Sequence, residues 1–527
     1  MKNNTLLISA DRIYTGLAQT PWVQAVGIRD GRIAAIGTEQ EVRRAMPPGD
    51  ILALPGRMAC PGLVDSHCHF NSYGQSLMRV SLAGLPDLTA CRERIREAAG
   101  NLRPGEWLIG RGWNQYQWAD PKEPDKNDLD DLVPHNPAMM IRACGHSEWL
   151  NSRALETVGI TAESPDPPGG RFERDAAGEP TGLLREARDL VMESVPPPDA
   201  QTLKNAALAA QADALKKGLS GVHTCETLEE YQVLAELEAE GRLKMRVHHN
   251  LPPHHLDEAA ALGLQPGQGS EHLWIGHLKL FADGSLGSGT ALIHEPYCDE
   301  TDNCGLPFLD DDELTTQVLR GYQRGYSVAI HAIGDRAGSN ALLAIARGRR
   351  RYPGPWRDRV EHVQLFHPPD LDRYKDLNVT ASVQPVFVGT DWQVAERRWG
   401  AERRPFAYAW KTIMDRGIRM IFGSDAPVEP IAPILGIQTA VLRQDRQQQP
   451  ENGWRPEEKL SLKEALSGFF ANAAWSSGRE DRLGSLAPGY LADLTVFAEN
   501  LDRIPARQWH KVPMEMTIID GEVAYSR

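Results

Sequence analysis

A chain of 527 residues with a formal net charge of −14 is too long for one compact layer, and it suits a barrel-sized domain of roughly 250 to 400 residues with additions. Hydrophobic residues at 41% and charged residues at 24% are ordinary for a globular protein, and the acidic balance argues against a polyanion-binding surface, so no nucleic-acid partner is expected. Seven cysteines without a Cys-x-x-Cys pair suggest neither a disulfide framework nor a zinc ribbon, and fit a reducing compartment.

The first residues hold only three consecutive apolar side chains where a secretory signal needs about 7 to 15, and no run approaches the roughly 18 of a membrane span. The expectation is a cytoplasmic protein with no membrane partner, and a homodimer is the default assembly. Residues 5–57 alternate short apolar runs with turns, and Asp30-Gly31 predicts a hairpin. This piece is too small to stand alone, and a matching set of runs begins at 484 and ends in a second hairpin about Asp520-Gly521. Residues 1–57 plus 484–527 are therefore expected to build one composite β-sandwich.

Between the termini, apolar runs at 58–64, 221–224, 245–249, 274–281, 327–330, 360–363, 379–383 and 420–422 alternate with helical patterns such as 202–217, 228–240, 312–324 and 337–349. Eight such runs predict a (β/α)8 TIM barrel over 58–74 plus 196–483, with its reactive groups at the carboxyl ends of the strands. About 150 residues separate the first run from the second, too many for a plain loop. Residues 75–195 are thus expected to form an inserted α+β domain near the barrel mouth. The basic run Arg347-Gly-Arg-Arg-Arg351 reads as a solvated helix end.

The chemistry begins in Cys60-Pro-Gly-Leu-Val-Asp-Ser-His-Cys-His69. Alternate side chains of an extended backbone point the same way, so His67 and His69 can reach one cation while Cys68 points elsewhere. Later runs end on further candidates: Lys279 in Leu278-Lys-Leu-Phe-Ala-Asp283, His331 in Ser327-Val-Ala-Ile-His331, His362 in Arg359-Val-Glu-His362, and Asp425 in Phe422-Gly-Ser-Asp425. Imidazole nitrogen with carboxylate oxygen suits Zn²⁺, Fe²⁺ or Mn²⁺. The doublets His248-His249 and His254-His255 look metal-like, but they are expected to serve as supporting or surface residues.

The order His-x-His, Lys, His, His, Asp resembles the metal-dependent amidohydrolase superfamily. The phrases Pro61-Gly-Leu-Val-Asp-Ser-His67, Leu278-Lys-Leu-Phe-Ala-Asp-Gly-Ser-Leu-Gly-Ser288, His331-Ala-Ile-Gly-Asp-Arg-Ala337 and Phe422-Gly-Ser-Asp-Ala-Pro427 are similar more narrowly to amidohydrolase family 3, which includes N-substituted formamide deformylases. The likeness extends into the insert through Gly110-Arg-Gly-Trp113, Gly145-His-Ser-Glu-Trp-Leu-Asn-Ser-Arg-Ala154 and Gly182-Leu-Leu-Arg-Glu186. It departs at Gly289, where relatives tend to carry arginine.

The resemblance implies His67 and His69 on one metal, His331 and His362 on a second, and Lys279 as a carbamate bridging the two. Asp425 would touch one metal and the attacking water, and pass its proton to the leaving nitrogen. Trp113 and His146 would line the substrate pocket or pack inside the insert. Asp283 and Ser285 would orient a ligand or hold their loop, and Glu186 and Glu361 would support ligands or form plain salt bridges. The implied reaction is hydrolysis of a C–N amide-type bond in a small molecule. The alternatives are a deaminase, disfavoured by Gly334 where superfamily deaminases carry a catalytic Glu, and an inactive barrel used for binding.

Overall fold

A computed structural model of the chain describes residues 5–100, 102–143, 147–167 and 170–527. Its largest element is a parallel sheet of eight strands that neighbour one another in chain order. They are β1 (Leu63–Cys68), β2 (Leu219–Cys225), β3 (Arg246–Leu251), β4 (Leu273–Phe281), β5 (Val328–Ala332), β6 (Arg359–His362), β7 (Thr380–Val383) and β8 (Met420–Phe422). These strands are covered on both faces, which is why they read as runs and not as alternating patterns. Helices Leu228–Ala239, Asp311–Gln323 and Asp335–Arg351 fill crossovers where the periodicity put them. The first two begin with capping boxes, Thr227 with Glu230 and Asp310 with Glu313. The basic run closes the last turn of Asp335–Arg351, where Arg349 turns inward to the buried Asp358 at 2.8 Å.

β8 and β1 close the barrel without a regular ladder. Just past β8, Asp425 N donates to His67 O at 2.7 Å, and His69 N donates to Ala426 O at 2.8 Å. The buried Asp65 carboxylate ties the same seam, because its Oδ1 accepts from His67 N at 3.1 Å and from Ser424 N at 3.0 Å. Gly423 lets the chains meet: a Cβ there would stand 2.5 Å from His67 N.

The termini form one continuous seven-stranded sheet. Asp50–Pro61 lies at its centre between Thr5–Tyr14 and Leu494–Phe497, which is where the two ends of the chain join. The sheet folds back on itself, since Ile33 N donates to Tyr490 O at 2.8 Å and Ala492 N to Gly31 O at 2.9 Å. Ile8, Val26, Leu54, Leu494 and Ile518 belong to the resulting common core. Both predicted hairpins form, each with positive φ at two successive residues: 51° and 74° at Asp30 and Gly31, 53° and 75° at Asp520 and Gly521. Arg246 at the foot of β3 fastens this sheet to the barrel through Asp493 at 2.5 Å and Asp520 at 2.6 Å.

One sequence expectation needs correcting. The run 58–64 is not a single barrel strand: Met58 to Pro61 pair with Phe497 to Leu494 in the terminal sheet, and the barrel begins only at Leu63. The chain passes between sheets at Gly62, where a Cβ would lie 2.3 Å from Ser220 Oγ. Both segments are apolar, so hydrophobicity could not separate them. The terminal sheet therefore extends past residue 57.

The chain divides into two compact units, Met1–Gly74 with Leu203–Arg527, and Gln75–Thr202. The second has its own mixed sheet of six strands, in the order Arg171–Arg174, Pro180–Arg185, Ser147–Leu150, Ala138–Arg142, Leu108–Trp113 and Val80–Ser81. Leu88–Ala99 and Ser152–Val158 are among its helices.

Two stability experiments follow from this geometry. Asp65→Ala strips the acceptor from two buried seam amides, and each should cost about 1 to 3 kcal/mol in urea unfolding, whereas Asp65→Asn, which keeps an oxygen, should lose less. Gly31→Ala forces a Cβ to 3.1 Å from Asp520 O at φ +74°, so it should destabilise more than Gly56→Ala, where φ is +76° but nothing lies within 4 Å.

Candidate metal centre and active site

The seam sets the geometry of the centre. His67 ends up 3.5 Å from Asp425 Oδ1 through Nε2, and His69 Nε2 lies 3.4 Å from the same oxygen. Candidate ligand atoms of His67, His69 and Asp425 all fall within 4.8 Å of one another. The ring of His362 lies 4.9 Å from that of His67, and His331 lies 4.4 Å from His362, so the four imidazoles form one row across strand ends. Cys68 faces the other way, toward His223 O.

His362 reaches this row against strand alternation. Glu361 already faces the barrel interior, so a regular strand would turn the next side chain outward. Instead His362 adopts φ +77° and Val363 φ +44°, which re-aims the imidazole; Asp425 is likewise left-handed at +62°. Such conformations cost of order 1 to 3 kcal/mol each and persist where the surroundings over-determine them.

Each imidazole has one nitrogen committed. His67 Nδ1 meets Glu361 Oε2 at 2.5 Å, His69 Nδ1 meets Cys225 O at 2.9 Å, and His362 Nδ1 meets Gln384 Oε1 at 2.8 Å. His331 is the exception, as its Nε2 donates to Gly284 O at 3.0 Å. Oxygen acceptors on one nitrogen leave the lone pair on the other, so Nε2 of His67, His69 and His362 and Nδ1 of His331 are available as ligands.

The electrostatics agree with this donor set. Burial, then the Lys279 ammonium, lowers the His67 pKa and pushes His331 to about 3. Burial and then His331 hold His362 well below its usual value, so these rings are neutral and can ligate. His69 is raised, because the hydrogen bond and charge of Asp425 outweigh burial. Asp425 is held below the usual carboxylate range: burial opposes this, but the hydrogen bond and charge of His69 outweigh it.

Lys279 is 2% exposed, and its Nζ has no hydrogen-bond partner, although it lies 4.8 Å from the Phe281 ring centroid. An unpartnered buried amine beside neutral imidazoles and a carboxylate is a poor resting arrangement for a cation. It fits a residue whose nitrogen is used by something bound, and with it the cluster suits one or two divalent ions.

Other expected residues fall elsewhere. Trp113 is a correction: its ring is wholly buried in the insert's core with Trp118 and Trp149, and Nε1 donates to Met140 O at 2.7 Å, so it packs and does not line a pocket. His146 lies outside the described residues. Asp283 is fully buried and accepts from Leu292 N, Ile333 N and Gly334 N at 2.9, 3.0 and 2.8 Å, which holds the loop after β4, and its Oδ1 also lies 3.5 Å from His331 Nε2. Ser285 is exposed on that loop, bonded to Ser288 at 2.8 Å. Gly289 has φ +71°, and a Cβ there would come 2.8 Å from Arg398 Nη1, which occupies the adjoining space. His248 and His249 are buried in β3, away from the metal cluster.

Sequence reasoning missed Asp65, Gln384 and Arg359. Asp65 stood in the quoted motif, but its second partner, Ser424, lies 359 residues further along the chain. Gln384 follows a run that carries no metal ligand, so nothing local marked it.

Residues 50–525 match the model of the amidohydrolase family. The chain is 35% identical over 528 residues to YtcJ of Bacillus subtilis (strain 168), whose name places it among the amidohydrolases, covering 98% of each protein. It is 28% identical over 550 residues to N-substituted formamide deformylase of Arthrobacter pascens, covering 99% of this chain and 98% of that one. Among solved structures, an uncharacterized metal-dependent hydrolase from Pyrococcus furiosus shares 30% identity at a TM-score of 0.78, covering 94% of this chain and 99% of the other. A family match along nearly the whole chain, meeting a barrel whose strand ends carry this donor set, makes the protein a metal-dependent hydrolase of amidohydrolase family 3.

Proposed function

We propose that the protein hydrolyses a C–N amide-type bond of a small molecule, a formamide, N-acyl or cyclic amide, using Zn²⁺ held by His67, His69, His331, His362, Asp425 and a carboxylated Lys279. The observation that carries this reading is the joint placement of His67, His69 and Asp425 across the barrel seam, with the unpartnered Lys279 amine buried in the same site. The full-length likeness to an N-substituted formamide deformylase supports the bond type. Fe²⁺ or Mn²⁺ would suit the same donors.

Bound divalent cations would supply Lewis acidity toward the scissile carbonyl and the attacking water. Asp425 supplies the proton transfer. Its Oδ1 stands beside both His67 and His69, and its carboxylate is held ionised, so it can take the water proton and hand it to the leaving nitrogen. For Lys279, nitrogen of the neutral amine adds to the carbon of CO2 and one proton leaves to solvent. The product is an anionic carbamate with two oxygens, which replaces a cation among metal ligands by an anion. Asp283 keeps the loop after β4 fixed against the end of β5, and the carbonyls of Cys225 and Gly284 hold His69 and His331 in register.

Zinc-loaded protein should release amine from at least one member of a panel of N-formyl, N-acyl and cyclic amides, and chelation should abolish turnover. Cleavage of esters alone would move the reaction to a C–O bond. Asp425→Asn keeps the shape but removes the base, so kcat should fall by at least about 10²; a rise in KM with kcat unchanged would make Asp425 a substrate-binding residue. Lys279→Ala should lower metal content from two equivalents toward one or none, with partial rescue by a small carboxylic acid. Electron density for an unmodified amine beside one fully occupied ion would refute the bridge.

A further inference from the structure

Beneath the row of metal-site histidines, the barrel interior holds charged and polar side chains in place of an aliphatic layer. Arg359 and Glu361 sit two residues apart on β6, so both point inward, and both are 0% exposed. Glu361 Oε2 lies 2.5 Å from His67 Nδ1 on β1, and its Oε1 lies 2.6 Å from Arg359 Nε. Arg359 Nη1 in turn lies 3.1 Å from His223 Nδ1 on β2. A chain of four side chains thus crosses the barrel from β1 through β6 to β2.

We propose that Arg359 is a positioning residue for the metal centre: it clamps the Glu361 carboxylate, and through it fixes the ring of His67 so that Nε2 faces the metal position beside Asp425. The proposal rests on the metal-centre reading of His67 but describes an arrangement of the chain's own side chains. Glu361 Oε2 is taken by His67, while Oε1 makes no hydrogen bond among the described residues and is held by charge, in an ion pair with Arg359 Nε at 2.6 Å. The guanidinium is permanently charged, so it draws the Glu361 carboxylate toward itself whatever the pH, and His223 braces its far side through Nη1. The His67 ring is held at Nδ1 by Glu361 alone, so an error in the carboxylate's position passes directly to Nε2. Packing does not require this arrangement, since a methionine of similar length would fill the volume without orienting Glu361.

The test is a mutant cycle on the full chain, with Arg359→Met, Glu361→Gln, the pair, and Arg359→Lys. Zinc affinity by chelator competition should drop about 10- to 100-fold in Arg359→Met, with thermal unfolding followed separately to report the fold. Arg359→Lys should recover part of the loss, because it restores the charge without the brace to His223. If Arg359 acts through Glu361, the double variant should bind zinc no worse than Glu361→Gln alone. Additive losses, or wild-type affinity in folded Arg359→Met, would overturn the proposal. Should Arg359→Met fail to fold with Glu361 left unpaired, the double variant against Glu361→Gln decides the question, since neither charge then remains. A crystal structure of metal-free Arg359→Met beside metal-free wild type separates this idea from the metal-centre reading. A displaced His67 ring supports the clamp even if no zinc binds, and an unmoved ring refutes it even if zinc does.

Discussion

The centre depends on how the barrel closes. Strands β8 and β1 share no ladder, and they are held instead by two backbone hydrogen bonds past the strand ends and by Asp65, whose single oxygen collects an amide from each side. This closure brings Asp425 to His67 and His69, which lie more than 350 positions earlier in the chain. A regular ladder would have spent the His67 and Asp425 backbones on a different register. Gly423 is part of the same constraint, since any side chain there would strike the His67 backbone.

Strain and burial at the centre have the same source. Left-handed backbone at His362, Val363 and Asp425 is sustained because neighbouring strands fix both ends of each residue, and it turns side chains toward a common point. Burial keeps His67, His331 and His362 neutral and so ready to ligate, while the hydrogen bond and charge of His69 keep Asp425 ionised. Low dielectric therefore separates the roles of the groups: imidazoles with lone pairs, and one carboxylate able to accept a proton.

Below the centre, His223, His248 and His277 pack edge to face at ring separations of 4.6 and 5.2 Å, next to Arg359 and Glu361. Burial drives the pKa values of His223 and His248 well below the usual value, and that of His277 to about 3, so among these five side chains the formal charges are those of the paired Arg359 and Glu361. The pairing matters because a lone buried charge would cost several kcal/mol. A polar barrel floor of this kind can orient ligands from beneath, which an aliphatic layer cannot do.

Much of the fold was legible in the chain. Strands buried on both faces leave apolar runs, crossover helices leave a 3.6-residue period, and Asp-Gly turns mark hairpins; these are local signals, fixed by steric and hydrophobic rules that act over a few residues. The positions of His67, His69, Lys279, His331, His362 and Asp425 at strand ends were readable for the same reason. Tertiary structure alone decided where the terminal sheet stops, because Met58 to Pro61 and Leu63 onward are equally apolar and differ only in their partners. It alone placed Trp113 inside the insert's core, where its indole is spent on Met140 O. It alone brought Asp65 to Ser424, Gln384 to His362 and Arg359 to His223, since each of these contacts joins residues from different strands or strand ends. Hydrogen bonds and ion pairs between strands distant in sequence leave no periodic trace in a single chain, whereas burial does.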